Sequence, residues 1–217
     1  MLVINQPLPT KGIIVEEPEV VDIISSFLTD VKSINVRGFL IKIGKYNNEN
    51  FVISSHGVGG PSTAFILEEL INNGVKVILR YGTAGTLNGK NLGDYFIPLG
   101  VSHHYSSSLY QRSGGDIVLS LFPDLELAYG LYKTMKENGR NIFYGSIFQS
   151  DDFYSESHVS SDDAVDMESG TLFLISRLKE IKSTSILIIA NNRGKWINYE
   201  EIYKKDAPII LKFLSGI

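Results

Sequence analysis

Residues 54–87, SSHGVGGPSTAFILEELINNGVKVILRYGTAGTL, decide the fold. They read as the end of a strand, a glycine-rich turn (His56-Gly57-Val58-Gly59-Gly60) and a helix with Pro61 near its first position. Over 62–72 the helical spacing turns Phe65, Ile66, Leu70 and Ile71 inward and leaves Glu68 and Glu69 to water. Asn73-Gly74 closes the helix as a left-handed cap does. A buried strand follows over 77–79, carries into Arg80, and is expected to end in a second tight turn, Gly82-Thr83-Ala84-Gly85.

Arg80 is the anomaly of this stretch. A guanidinium at the end of an apolar strand is costly to desolvate unless an anion meets it. Turn N–H groups, a Thr hydroxyl and an Arg fork converging on one spot can hold a phosphate or carboxylate. The plainer alternative pairs Arg80 with a nearby Asp or Glu. The local sequence leaves both readings open.

Working outward, 217 residues suit one α/β domain, read here as spanning 1–217. An apolar fraction of 43% with 20% charged residues is that of a chain with a real core. A net charge of −4 gives no basic footprint, which argues against nucleic acid and anionic membranes as partners. The absence of cysteine excludes disulfides, thiolate zinc sites and a cysteine nucleophile. MLVINQPLPTKG lacks the pattern of a signal peptide, and apolar runs such as 186–190 are too short to span a bilayer, so a cytoplasmic location is expected.

In chain order, 12–15 is a short buried strand and Glu16-Glu17-Pro18-Glu19 a turn into a helix over 20–28. Residues 33–43 and 51–55 form a hairpin around Tyr46-Asn47-Asn48. Residues 94–105 are a long strand ending in His103-His104-Tyr105, and the polar 105–115 a loop. A helix over 124–138 closed by Gly139, a strand over 141–148, an acidic Ser-rich segment over 149–163, a helix over 168–179, a strand over 185–190 and a helix over 199–214 complete the chain. Strands and helices alternate without repeat or linker, as in an α/β domain.

Chemistry-bearing candidates are few. In Asp166-Met167-Glu168-Ser169 the Glu is either a favourable N-terminal charge or a carboxylate accepting two sugar hydroxyls, with Met167 packed on the ring. Phe153 and Tyr154 are core aromatics or a base-stacking pair. His56, His103, His104 and His158 show no metal spacing. No GxSxG, GxGxxG or GxxxxGK[ST] is present, which argues against hydrolase triads, dinucleotides and P-loop nucleotide handling.

Seven blocks in register are more specific than any one of these. NVRGFL (35–40), GKYN (44–47), SHGVGGPS (55–62), LEEL (67–70), RYGTAG (80–85), SDDFYS (150–155) and VDMESGTLF (165–173) together resemble the hexameric nucleoside phosphorylases, most closely their archaeal purine nucleoside and 5′-methylthioadenosine members. The resemblance covers roughly 12–214. It implies a three-layer α/β/α sandwich with a mixed, partly barrel-like central sheet. It also implies phosphate-dependent cleavage of a purine nucleoside or uridine to free base and ribose 1-phosphate, with no cofactor beyond phosphate as co-substrate, in a homo-oligomer (a dimer or trimer of dimers). Catalysis there is largely placement of phosphate and ribose, and stabilisation of the departing base. Arg80, Thr83, Gly82 and Gly85 match the family's phosphate site, and Arg37 the arginine given to a neighbouring subunit's phosphate. Glu168 matches the ribose carboxylate, with Met167 and His56 beside it; Phe153, Val165, Asn191 and Asn192 fall at the base, with Arg80, Asn191 and Glu168 carrying the chemistry.

Three departures fall on that chemistry. Where the family turn reads Gly-Asp-Pro-x-Arg, this chain has Glu16-Glu17-Pro18-Glu19-Val20: a carboxylate replaces the glycine and the arginine is gone. One like-charge contact at about 4 Å costs roughly 4 kcal/mol at an effective dielectric of about 20, about a thousandfold in affinity, unless the loop swings away or Arg80 or Arg37 neutralises Glu16. The family's Ser-Asp general acid is replaced by Ala190-Asn191-Asn192, and an amide donates a hydrogen bond but no proton. Asn192-Arg193 is similar to the Asn-Arg of uridine phosphorylases, whose Gln-x-Arg is absent. The N-terminal histidine that reaches a neighbour's ribose has no counterpart in MLVINQPLP. Two further readings follow: a catalytically silent nucleoside-binding paralogue or assembly partner, and a nucleosidase using water.

Overall fold

In the computed structural model, residues 4–114, 118–154, 161–192 and 194–217 are described. The first half of the chain lays down β1 (Lys11–Val15), α1 (Pro18–Ser25), β2 (Thr29–Val36), β3 (Phe39–Tyr46), β4 (Glu49–Ser55), α2 (Gly60–Asn72) and β5 (Val77–Thr86). The second half adds β6 (Tyr95–His103), α3 (Ser108–Ser113), α4 (Leu125–Glu137), β7 (Ile142–Gln149), β8 (Ala164–Asp166), α5 (Ser169–Leu178), β9 (Lys182–Asn192), β10 (Lys195–Trp196) and α6 (Glu200–Ser215).

All strands join one sheet, in the order β10-β9-β6-β7-β8-β5-β1-β4-β3-β2, and β9 also pairs with β5. That extra pairing closes β5, β9, β6, β7 and β8 into a mixed barrel, with β1 to β4 extending from one side. Alternation along β9 builds two cores at once. Leu187 and Ile189 point into the barrel with Ala84, Phe96, Ile147 and Ala164. Ile186 and Ile188 point outward to α1, α4 and α6, beside Val21, Leu131 and Leu211. On the opposite face α2 and α5 cover the sheet through Ile66, Leu67, Leu70, Leu172 and Phe173. The expected three-layer arrangement with a partly barrel-like sheet is the observed one.

Four local expectations are corrected. The strand expected over 33–43 is broken at Arg37-Gly38, whose φ values of 50° and 87° make a two-residue turn, with Val36 opposite Phe39. Asn47-Asn48 repeats the device between β3 and β4. Gly82 to Gly85 is not a turn: β5 continues through it to Thr86, paired with β9 until the register shifts at Gly85. The glycines serve close approach instead, since a Cβ on Gly82 would lie 2.5 Å from Glu16 Oε1. On α2 the inward face carries Leu67 and the buried Glu69, which accepts the Ile4 N–H, while Phe65 lies at the exposed edge. The loop expected over 105–115 contains α3 within its described part. Of the segment 149–163, residues 155–160 with His158 lie outside the described residues, as does Arg193.

Candidate active site

Among the described residues Arg80 is the largest fully buried side chain. It lies midway along β5, opposite Ile14 of β1 and Ser185 of β9, so the sheet itself carries it inside. Its Nη2 donates to Glu16 Oε1 at 2.6 Å and to Glu168 Oε2 at 2.6 Å, and Nη1 to Asp166 Oδ2 at 2.8 Å. Nε donates to His56 Nε2 at 3.3 Å. Each partner arrives by its place in the topology. Glu16 follows β1, His56 follows β4, Asp166 ends β8 and Glu168 caps α5. The plainer reading of Arg80, pairing with the chain's own carboxylates, is thus the geometry observed.

The two turns expected to cradle an anion also point at carboxylates. Thr83 N donates to Glu16 Oε1 at 2.9 Å, and Gly59 N, presented by a turn with φ of 69° at Gly57 and 89° at Gly59, donates to Glu168 Oε1 at 2.7 Å. Glu16 Oε1 therefore receives both a guanidinium and a backbone N–H. Asp166 is tied further by the Ser169 hydroxyl at 2.5 Å.

Three carboxyls around one cation cannot all be ionised cheaply in a dry interior. Burial is the largest influence on each of the three and raises its pKa; Arg80 opposes it without cancelling it. Glu168, with Asp166 and Glu16 nearby, is pushed up to about 8. Burial works against the Arg80 cation, but the carboxylates, Glu16 foremost, more than offset it and hold Arg80 charged. His56 is driven far below the ordinary imidazole value by burial and then by Arg80. It is a neutral ring accepting at Nε2, with Nδ1 3.2 Å from the Thr63 hydroxyl, which donates to Gly59 O.

A cavity of about 190 Å³ opens beside this cluster, lined by Glu16, Glu17, Val58, Thr83, Gly85 and Phe153, by Val165 to Glu168, and by Asn191, Trp196 and Tyr199. It brings together most of the residues expected from the sequence: Thr83, Gly85, Phe153, Val165, Met167, Glu168 and Asn191. Asn191 Oδ1 accepts the Gly194 N–H, which leaves its amide NH2 as the donor for a ligand. Four expected residues lie elsewhere. His56 is sealed behind Arg80, and Asn192 turns to the Lys90 carbonyl. Arg37 is exposed at the β2–β3 turn, 5.9 Å over the Phe65 ring. Gly82 backs the Glu16–Arg80 contact. Val20, the position of the family turn's arginine, is buried in the apolar core under α1.

Sequence reasoning passed over Asp166, Glu17, Tyr199 and Trp196. Trp196 packs against Phe153 with ring centres 5.8 Å apart and planes tilted at 35°. The Tyr199 hydroxyl donates to Glu17 Oε1 at 2.9 Å. A lone, half-exposed Trp in a polar stretch was the available signal for the first; nothing local marks the rest. Among the described residues three larger cavities, of about 390 and 510 Å³ beside α3 and about 430 Å³ between α4 and α6, are lined by none of the residues expected to carry chemistry. Among the described residues, no group of three His, Cys, Asp or Glu side chains is placed to hold a metal ion, and no helix is long and apolar enough to cross a membrane.

A closed mixed barrel with flanking helices is a known architecture. The fold is that of a solved purine nucleoside phosphorylase from Toxoplasma gondii, described in complex with immucillin-H, with a TM-score of 0.82 over 96% of this chain and 90% of that one at 21% identity. The sequence model of the phosphorylase superfamily matches residues 10–210, and the chain belongs to that superfamily. A guanosine phosphorylase of Halorubrum lacusprofundi is 30% identical over 190 residues, 83% of this chain and 78% of that protein. A DeoD-type purine nucleoside phosphorylase of Buchnera aphidicola is 28% identical over 195 residues, 85% of this chain and 78% of that protein.

Proposed function

We propose that this chain is a nucleoside-binding member of the superfamily whose phosphate subsite is filled by its own Glu16, so that it binds nucleoside without phosphorolysing it. One observation carries the reading: Glu16 Oε1 accepts from Arg80 Nη2 and from Thr83 N, the two donors that the family resemblance assigns to phosphate. An incoming phosphate would have to displace this carboxylate and then sit beside it, which the like-charge cost of about 4 kcal/mol opposes. The nucleoside half keeps more of its expected residues at the cavity, although His56 and Asn192 lie outside it. Glu168 and Met167 take the sugar, Phe153 and Trp196 the base, and Asn191 donates to it.

Phosphorolysis, giving free base and ribose 1-phosphate, is the second reading, and one feature favours it. Burial raises the Glu16 pKa, so a neutral carboxyl that releases Arg80 is closer at hand than for an ordinary glutamate. In that reading Arg37 reaches a neighbouring subunit's phosphate from its exposed turn, and the working form is a homo-oligomer. Incubation with inosine, uridine and methylthioadenosine, with and without phosphate, separates the two. Ligand-induced thermal stabilisation without turnover supports the first; base release that requires phosphate supports the second.

A further inference from the structure

We infer that Glu16 reads the sugar as well as filling the phosphate subsite: its second carboxylate oxygen accepts the ribose 2′-hydroxyl, and the site thereby selects ribonucleosides over 2′-deoxyribonucleosides. The inference rests on the nucleoside reading and names a specificity-determining residue within it.

Four carboxyl groups line the cavity, Glu16, Glu17, Asp166 and Glu168, and they differ in what they have left to offer a ligand. Both oxygens of Glu168 are engaged, Oε1 by Gly59 N and Oε2 by Arg80 Nη2. Asp166 Oδ2 takes Arg80 Nη1 and the Ser169 hydroxyl, while its Oδ1 lies 3.4 Å from Ser169 N. Glu16 is only 7% exposed, yet just one of its oxygens is used. Oε1 takes Arg80 Nη2 and Thr83 N, and Oε2 is buried without a hydrogen-bond partner. Glu17 repeats the pattern, with Oε1 on the Tyr199 hydroxyl and Oε2 unpaired. The unmet acceptors therefore fall on the side of the cavity where β1 runs into α1. A buried acceptor is costly until a donor meets it, and a sugar hydroxyl is such a donor.

The place of Glu16 decides which hydroxyl. Its Oε1 holds the donors that the family resemblance assigns to phosphate. Displacement of a base by phosphate brings a phosphate oxygen to C1′ on the sugar face opposite the base. In a ribonucleoside the 2′-hydroxyl projects from that same face, one carbon away. In the arabino epimer it projects from the base's face, and in the 2′-deoxy sugar it is missing. Two donors already fix the Glu16 carboxylate, so Oε2 is held in place before the ligand arrives. An analogue without the hydroxyl leaves that oxygen unpaired, and a site built around a hydroxyl discriminates by this means.

The test is titration calorimetry of inosine, 2′-deoxyinosine and 9-(β-D-arabinosyl)hypoxanthine into the full chain in phosphate-free buffer. Wild type should bind inosine about tenfold or more tighter than either analogue, the worth of a hydrogen bond to a charged acceptor. Glu16→Ala should remove most of that preference while Glu168 is still present, with a melting curve to show that the variant is folded. Glu16→Gln keeps the side chain's size and an oxygen for Arg80 and Thr83 N, and should narrow the gap in the same direction. Equal binding of inosine and its analogues by wild type, or a preference that survives both substitutions, overturns the inference and leaves the nucleoside reading standing. Failure of all three to bind overturns both.

Discussion

Glu16 and Arg80 are joined by a 2.6 Å ion pair, and a Cβ on Gly82 would lie 2.5 Å from the same Glu16 oxygen and 2.8 Å from Arg80 Cζ. The carboxylate, the guanidinium and the bare backbone of β5 are fitted to one another. The pair is thus part of the interior, not a chance surface contact.

Gly82→Ala should disturb this fit. The methyl group meets both partners, and separating them costs about 1–3 kcal/mol by analogy with overpacked cores. Urea denaturation measures the loss. A wild-type midpoint would mean that the Glu16 side chain rests elsewhere.

Arg80→Met should be far more damaging than a surface change. It leaves Glu16, Asp166 and Glu168 buried together without their cation, a loss of about 3–5 kcal/mol. Arg80→Lys should rescue little, because a single ammonium cannot span the fork that the guanidinium offers. Chemical denaturation of the two variants checks this order.

The cluster also sets a pH dependence. Glu168 titrates near 4.5 when unfolded and about 8 when folded, so the native state holds an extra proton between those values. Stability from this group is complete below pH 4.5 and falls as pH rises through about 8. Glu16 and Asp166, raised by the same burial, act in the same direction. The melting temperature should therefore decline from mildly acidic to mildly alkaline buffer, and Glu168→Gln should flatten the slope. Parallel slopes for the two proteins would count against a protonated Glu168.

Trp196→Ala separates binding from folding. The side chain is 55% exposed, so stability should stay within about 0.5 kcal/mol of wild type. Loss of a stacking surface should weaken nucleoside binding by about 1–3 kcal/mol. Titration calorimetry beside a melting curve reads both.

Much of the fold was legible because period and punctuation agree. Asp124 caps α4 and Gly139 ends it, Pro61 opens α2, and Asn73-Gly74 closes it. What failed was punctuation with two meanings. Gly82 and Gly85 look like a turn, yet they are strand residues kept small by what crosses them. Arg37-Gly38 looks like strand, yet takes positive φ at both residues. In the site, Glu168 and Phe153 were legible from the blocks around them. Asp166, Glu17 and Trp196 were not, since their roles come from β8, β1 and β10 meeting in space rather than from any local pattern. Glu16 stood out as a charge in the wrong place that Arg80 or Arg37 could neutralise; that Arg80 is the partner follows from the closed barrel.

The most direct test of the account is phosphate itself, titrated calorimetrically into the wild-type chain and into Glu16→Gly at neutral pH. The account predicts no detectable heat with wild type and measurable binding once Glu16 is removed and Arg80 and Thr83 N are freed. Saturable phosphate binding to the wild-type chain, unchanged by Glu16→Gly, would contradict it.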